Sequence, residues 1–190
     1  GIKGGMVILV ADDPGPISSQ TEQDTRHFSR FSKLPCFDPS SAQEAYEMIQ
    51  EAFEYSEKYG TPVFLRPTTR VCHGYASIMV KDETEYTHHQ PEGFIKDSKR
   101  WVIFPRLSFM NHKKIEARNQ ELSDIFSSYE KNTIHPSCDA FKDSKKGIAT
   151  GGISYTYTME TLKKTGMVKT LKIATPHPFP EKLAVDFLSG

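Results

Sequence analysis

Met6-Val7-Ile8-Leu9-Val10-Ala11-Asp12-Asp13-Pro14-Gly15 decides the fold class of this chain. An apolar run with no polar alternation, closed by a turn signal, predicts a strand covered on both faces, as in a parallel sheet. Pro14, Gly15 and Pro16 then forbid regular structure. From about Ser19 to Leu34 the pattern turns helical. Phe28 and Phe31 fall three apart, Glu22, Asp24 and Arg26 take other faces, and Ser18 or Ser19 is placed to cap.

Pro35-Cys36-Phe37 reads as a short second strand. Ser40 with Gln43, or Ser41 with Glu44, then matches a capping box. Ala45, Met48, Ile49, Ala52 and Phe53 form the apolar stripe of the helix that follows, and Gly60 ends it. Pro62 to Arg66 is the third strand. Three strands alternating with two helices make β-α-β-α-β, an α/β fold with right-handed crossovers and a parallel sheet.

Beyond this unit, residues 72–100 lose periodicity and read as a surface linker. Trp101 to Phe104 is a short apolar segment stopped by Pro105. A helix is expected from Lys113 to Tyr129, with Ile115, Leu122, Ile125, Phe126 and Tyr129 inward, and a loop at His135–Asp143. A second unit opens with a strand at Lys146–Thr150, passing through Gly151-Gly152 into a helix at Tyr155–Lys164. Leu171 to Ala174 is the next strand, and Pro180 starts a final helix to Leu188.

Composition excludes several classes of function. Among 190 residues, Lys plus Arg and Asp plus Glu both number 24, so no single-sign field gathers nucleic acid or an anionic membrane. No long uncharged apolar run predicts a membrane-spanning helix, and the first residues lack the pattern of a signal peptide. The start reads as a chain entered in the middle. Cys36, Cys72 and Cys138 are widely spaced with no Cys-x-x-Cys pair. That argues against a disulfide framework, and against a zinc or iron–sulfur site within this stretch. A reducing, cytoplasmic compartment is expected.

Ligands of open parallel sheets sit at the carboxyl ends of strands, which directs attention to the loop from Ala11 to Arg26. A helix N-terminus there can receive an anion, and Arg26 can grip a carboxylate with two parallel bonds. The structural alternative stands beside it: Asp12-Asp13 forms an Asx turn, Ser19 only caps, and Arg26 pairs with Glu22. Gly147 to Tyr155 is a second candidate. It is not a G-x-G-x-x-G fingerprint, and close helix–strand packing is the favoured purpose of its glycines. Arg70, Cys72-His73, His88-His89 with Glu92, and His135 with Cys138 are weaker candidates for anion, nucleophile or metal chemistry.

The run Gly4 to Gly15, with Ser18-Ser19-Gln20-Thr21-Glu22-Gln23-Asp24-Thr25-Arg26, is similar to a signature of indolepyruvate:ferredoxin oxidoreductase large subunits. The resemblance continues through Phe37 to Ser40, Gln43-Glu44-Ala45, Thr61-Pro62-Val63, Arg66 to Val71 and Arg100-Trp101-Val102. It extends to Gly151 to Tyr157 and Phe179 to Leu183. Departures at Thr21, Cys72 and Gly74 bear on substrate preference.

The resemblance implies that residues 1–71 are the latter half of a thiamine-diphosphate pyrimidine-binding domain. Residues 72–145 are then a linker with a helix, and residues 146–190 begin a transketolase-C-terminal-like domain. It implies an enzyme that uses thiamine diphosphate and magnesium to decarboxylate an aryl 2-oxoacid. Electrons pass through 4Fe-4S clusters to ferredoxin, the acyl group passes to coenzyme A, and a smaller beta subunit is the partner. Ser19 and Gln20 would line the cofactor, and Gln23, Asp24 and Arg26 the reacting side. The glutamate that activates the aminopyrimidine and the Gly-Asp-Gly…Asn motif for magnesium do not occur here. The 190 residues alone are therefore expected to be inactive and to bind thiamine diphosphate weakly. A related enzyme acting on another 2-oxoacid such as pyruvate, and a non-catalytic scaffold, remain as alternatives.

Overall fold

The computed structural model describes residues 2–15, 20–86, 90 and 93–189. Strands β1 (Val7–Leu9), β2 (Cys36–Phe37) and β3 (Val63–Leu65) form a parallel sheet in the order β1-β3-β2. Val7 lies opposite Val63 and Cys36 opposite Phe64. Helices α1 (Thr25–Ser32) and α2 (Ala42–Tyr59) connect these strands, giving the expected alternation. The apolar run at β1 departs from expectation in one respect. β1 is an edge strand, and Met6 and Leu9 are exposed rather than covered on both faces.

Helix α2 follows from its sequence. Ser41 caps it, its side chain accepting from Glu44 N, and Gly60 ends it in the left-handed region at φ 57°. Met48 and Ala52 are fully buried on its inner face, whereas Phe53 remains exposed. Ser56, also buried, accepts from Met6 N at 2.8 Å and donates to Thr61 O at 2.7 Å, tying the helix to both ends of the chain crossing it.

Helix α1 starts at Thr25, not near Ser19, because Asp24 is the residue that caps it. The proposed caps Ser18 and Ser19 lie outside the described residues. Phe28 and Phe31 face outward, so the three-residue spacing there marks an exposed stripe.

The short helices α3 (Thr69–Cys72) and α4 (Ser98–Trp101) bracket the linker. That linker is largely exposed but not detached. Met79 N donates to Gln43 Oε1 at 2.6 Å and Lys81 N to Tyr46 Oη at 2.7 Å, laying the segment along α2. Pro105 opens α5 (Pro105–Phe126) in place of merely stopping an apolar segment. Its missing N–H costs nothing in a first turn. Leu122 and Phe126 of α5 are fully buried, as the inward face requires.

A second sheet contains β4 (Thr133–His135), β5 (Ile148–Gly151) and β6 (Thr170–Ile173), with β6 central. β5 runs parallel to β6 and β4 antiparallel. β4 was not legible as a strand, since Thr-Ile-His is too short to show alternation. Helices α6 (Gly152–Thr165) and α7 (Glu181–Ser189) complete the unit. No helix among the described residues is long and apolar enough to cross a membrane.

The two sheets are bonded to one another. Cys36 N donates to His177 O at 2.7 Å and Asp38 N to Ala174 O at 2.8 Å. One core serves both, gathering Phe37, Met48, Val63, Leu65, Leu122, Phe126 and Ala174. Phe37 sits at its centre, meeting Tyr55, Phe126 and Tyr129 edge-on with ring centroids 5.5–5.8 Å apart.

Candidate functional site at the carboxyl edge of the parallel sheet

Three parallel strands deliver their carboxyl ends to one place. Asp12 follows β1, Asp38 follows β2 and Arg66 follows β3, and all three are almost wholly buried. Arg66 Nε donates to Asp12 Oδ2 at 2.5 Å, and Nη1 donates to Asp38 Oδ2 at 3.1 Å. Its Nη2 lies 3.6 Å from Asp24 Oδ1, in the loop before α1. One guanidinium therefore faces three carboxylates.

Asp12 has a second duty. It accepts from Thr25 N at 2.8 Å and from Thr25 Oγ1 at 3.0 Å, so the first strand's carboxylate helps seat the first turn of α1. Its backbone is fixed as well, with N donating to Pro67 O and O accepting from Thr69 N. Thr69 Oγ1 donates to Asp13 Oδ1 at 2.8 Å. The Asp12-Asp13 pair thus builds more than an Asx turn.

Asp24 and Arg26, both singled out from sequence, meet here. Asp24 Oδ1 accepts from Arg26 Nε at 2.9 Å and Oδ2 from Arg26 Nη2 at 2.6 Å. The partner of Arg26 is Asp24, two residues away, and not Glu22. This bond holds the Asp24 carboxyl down at about 2, against a smaller opposing effect of burial, and raises the already high pKa of Arg26. The side-on edge of the Arg26 guanidinium is thereby spent. Its end-on edge projects from a side chain that is 48% exposed, enough to meet an anion from solvent.

Gln20 and Gln23 are exposed, and Gln23 N donates to Asp13 O at 3.1 Å. Ser19 lies outside the described residues, as do His88, His89 and Glu92. Arg70 is exposed on α3. His135 Nε2 shares a hydrogen bond with Tyr155 Oη at 3.0 Å. Among the described residues no three His, Cys, Asp or Glu side chains are grouped to hold a metal ion.

The second sequence candidate joins the same site. A Cβ at Gly152, where φ is +50°, would lie 2.7 Å from Asp38 Oδ1, and a Cβ at Gly151 would lie 2.3 Å from Ile173 O. The Gly-Gly step accordingly serves close packing, letting the N-terminus of α6 rest against Asp38 and β6. Asp38 Oδ1 and Arg66 Nη2 are buried with no hydrogen-bond partner among the described residues. Burial pushes the Asp38 carboxyl up to about 6, against the pull of Arg66 and Arg26.

With Asp12, Asp24 and Asp38 set against Arg26 and Arg66, the edge is acidic when all are ionised. The exposed Arg26 edge suits a carboxylate. Arg66 and Asp38 are the residues that sequence reasoning missed. The local pattern showed Arg66 only as a charged residue closing an apolar strand and Asp38 only as the opening of a turn, although both lie in runs that carry the family resemblance.

No family model matches the chain. It is 38% identical over 192 aligned residues to the indolepyruvate oxidoreductase subunit IorA of Methanothermobacter thermautotrophicus. It is likewise 38% identical over 195 residues to that of Pyrococcus abyssi, and 33% over 192 residues to that of Archaeoglobus fulgidus. Each alignment takes in the whole of this chain, which spans about 30% of the length of these curated relatives.

Proposed function

This chain belongs, along all of its 190 residues, to the family of indolepyruvate oxidoreductase subunits IorA, and we propose that it forms part of such an oxidoreductase. The observation that carries this reading is similarity at 33–38% identity across the entire chain. We propose indolepyruvate or a related aryl 2-oxoacid as substrate, with thiamine diphosphate, magnesium and 4Fe-4S clusters as cofactors. Ferredoxin is the acceptor proposed for the electrons and coenzyme A for the acyl group, and a smaller beta subunit is the partner.

The site supports a division of labour. Thiamine diphosphate, when bound, supplies the nucleophilic carbon for decarboxylation. Gln20 would offer its exposed amide to the heterocycle, and Gln23 would stand with Asp24 and Arg26 on the reacting side. The diphosphate and magnesium call for residues other than this acidic cluster. Arg26 orients the 2-oxoacid carboxylate through its end-on edge, while Asp24 keeps the guanidinium from swinging. Arg66 holds Asp12, and with it the start of α1, at a fixed distance from Asp38.

The test is viologen reduction by the complete subunit assembled with its partner, supplied with thiamine diphosphate and coenzyme A. Indolepyruvate and phenylpyruvate should outrun pyruvate. Arg26→Ala should lose about 10- to 100-fold in kcat/KM, the worth of a charged hydrogen bond at about 1.5–3 kcal/mol. Equal rates with pyruvate would overturn the substrate class, and no reduction by a folded, cluster-loaded complex would overturn the activity. Titrated with thiamine diphosphate and magnesium, the 190 residues alone should show only weak binding.

A further inference from the structure

A cavity of about 580 Å³ opens on the opposite flank of α1, between the end of that helix, α5 and the segment 176–181. Arg30, Lys33, Asn119, Gln120 and His177 face into it. The cations there are unequally committed. Lys33 is paired with Glu116, and Arg118 Nη2 donates to Lys33 O at 2.7 Å. Arg30 has no carboxylate or hydrogen-bond partner for its side chain among the described residues. Asn119 Nδ2 stands 3.5 Å from His177 Nε2 and 3.4 Å from Lys33 O. The carbonyl that ends α1 is thus already satisfied and does not compete for Arg30.

We propose that this cavity binds a dianion of phosphate type, gripped by the Arg30 guanidinium, with the Asn119 amide turning to it from its long contacts to Lys33 O and His177 Nε2 and with His177 beside it. A guanidinium fork matches such an oxyanion geometrically. The volume exceeds what a bare phosphate fills and lies in the range of small-molecule sites, which favours a phosphate ester over the free ion. Glu116 is neutralised by Lys33 and stands 3.4 Å from His112, while Glu181 is exposed at the rim, where water screens it.

His177 reports on the field in the cavity. Burial first, then Arg30, Arg118 and Lys33, depress its imidazole to about 4, so the ring is neutral at pH 7. An anion placed among those cations offsets their repulsion and raises the affinity of the ring for a proton. Binding of sulfate, which stays dianionic across the range, should therefore strengthen as pH falls from 7 to 5.

Isothermal titration of the full chain with sulfate, inorganic phosphate and phenyl phosphate tests this. Saturable binding is expected, weakened about tenfold or more in Arg30→Gln and unchanged in Arg106→Gln, on the exposed first turn of α5. His177→Gln should flatten the pH dependence for sulfate while the chain stays folded. Phenyl phosphate binding tighter than phosphate identifies an ester as the ligand, and equal affinity identifies the free ion. Absence of saturation, or equal affinity in wild type and Arg30→Gln, overturns the proposal.

Discussion

Asp38 Oδ1 occupies the space where a side chain on Gly152 would begin, at 2.7 Å from that Cβ. The third strand's arginine and the second unit's glycine thus depend on a single carboxylate. Gly152→Ala should lose about 2 kcal/mol or more, combining the left-handed backbone with a clash against a buried group that is itself bonded to Arg66. Urea unfolding would measure it, and a loss below about 0.5 kcal/mol would show that the step is not close-packed.

Arg66→Met should destabilise far more than an ordinary surface change, by about 3–5 kcal/mol, because Asp12 and Asp38 would be left buried without their cation. Arg66→Lys should not rescue, since an ammonium cannot reach both carboxylates with the spread of a planar fork. Full rescue by lysine in a denaturant titration would refute the geometric argument.

The pH dependence of stability carries the mark of Asp38. Its carboxyl, raised from the ordinary 3.8 to about 6, binds a proton more tightly folded than unfolded. Its stabilising effect is therefore full below about pH 4 and lost as pH rises through 6, by up to about 3 kcal/mol. Asp24 acts in reverse, its contribution present above pH 4 and lost as pH falls toward 2. Subtracting the stability profile of Asp38→Asn from that of the wild type should isolate the first slope. A flat difference between pH 4 and 7 would contradict it.

Asn132→Ala should cost about 2–4 kcal/mol. The buried Asn132 Oδ1 accepts from Ala174 N at 2.6 Å and Thr175 N at 3.2 Å. Its Nδ2 donates to Phe126 O at 2.8 Å and Thr175 Oγ1 at 2.6 Å. Removal strands buried backbone groups on two elements. The check is a thermal melt, in which a shift of less than about 2 °C would show water replacing the amide.

Much of the first unit could be read from residues alone. β1, β2, β3 and α2 follow from apolar runs, from the Ser41 cap and from Gly60, all local signals. The site was legible only in its exposed half. Asp24 and Arg26 were singled out, and they do meet. Yet Asp24 displaced Ser19 as cap, and that displacement moved the helix start to Thr25. Arg66 could not be found the same way, because its partners Asp12 and Asp38 lie 54 and 28 residues distant, and nothing in the local pattern reveals a pairing across three strands. Pro105 misled for a related reason. The same residue stops a strand and starts a helix, and only the buried face of α5 decides between them.

Cys36 sits at the seam where β2 bonds to the segment carrying His177, fully buried, with burial pushing its thiol far above the usual range. Cys72, by contrast, is exposed. The chain therefore carries its own stopwatch. A thiol-reactive dye first consumes exposed Cys72 and half-buried Cys138, then waits on Cys36 until the seam parts. The interval between those two events is the lifetime of the joined state, read in the native protein without denaturant.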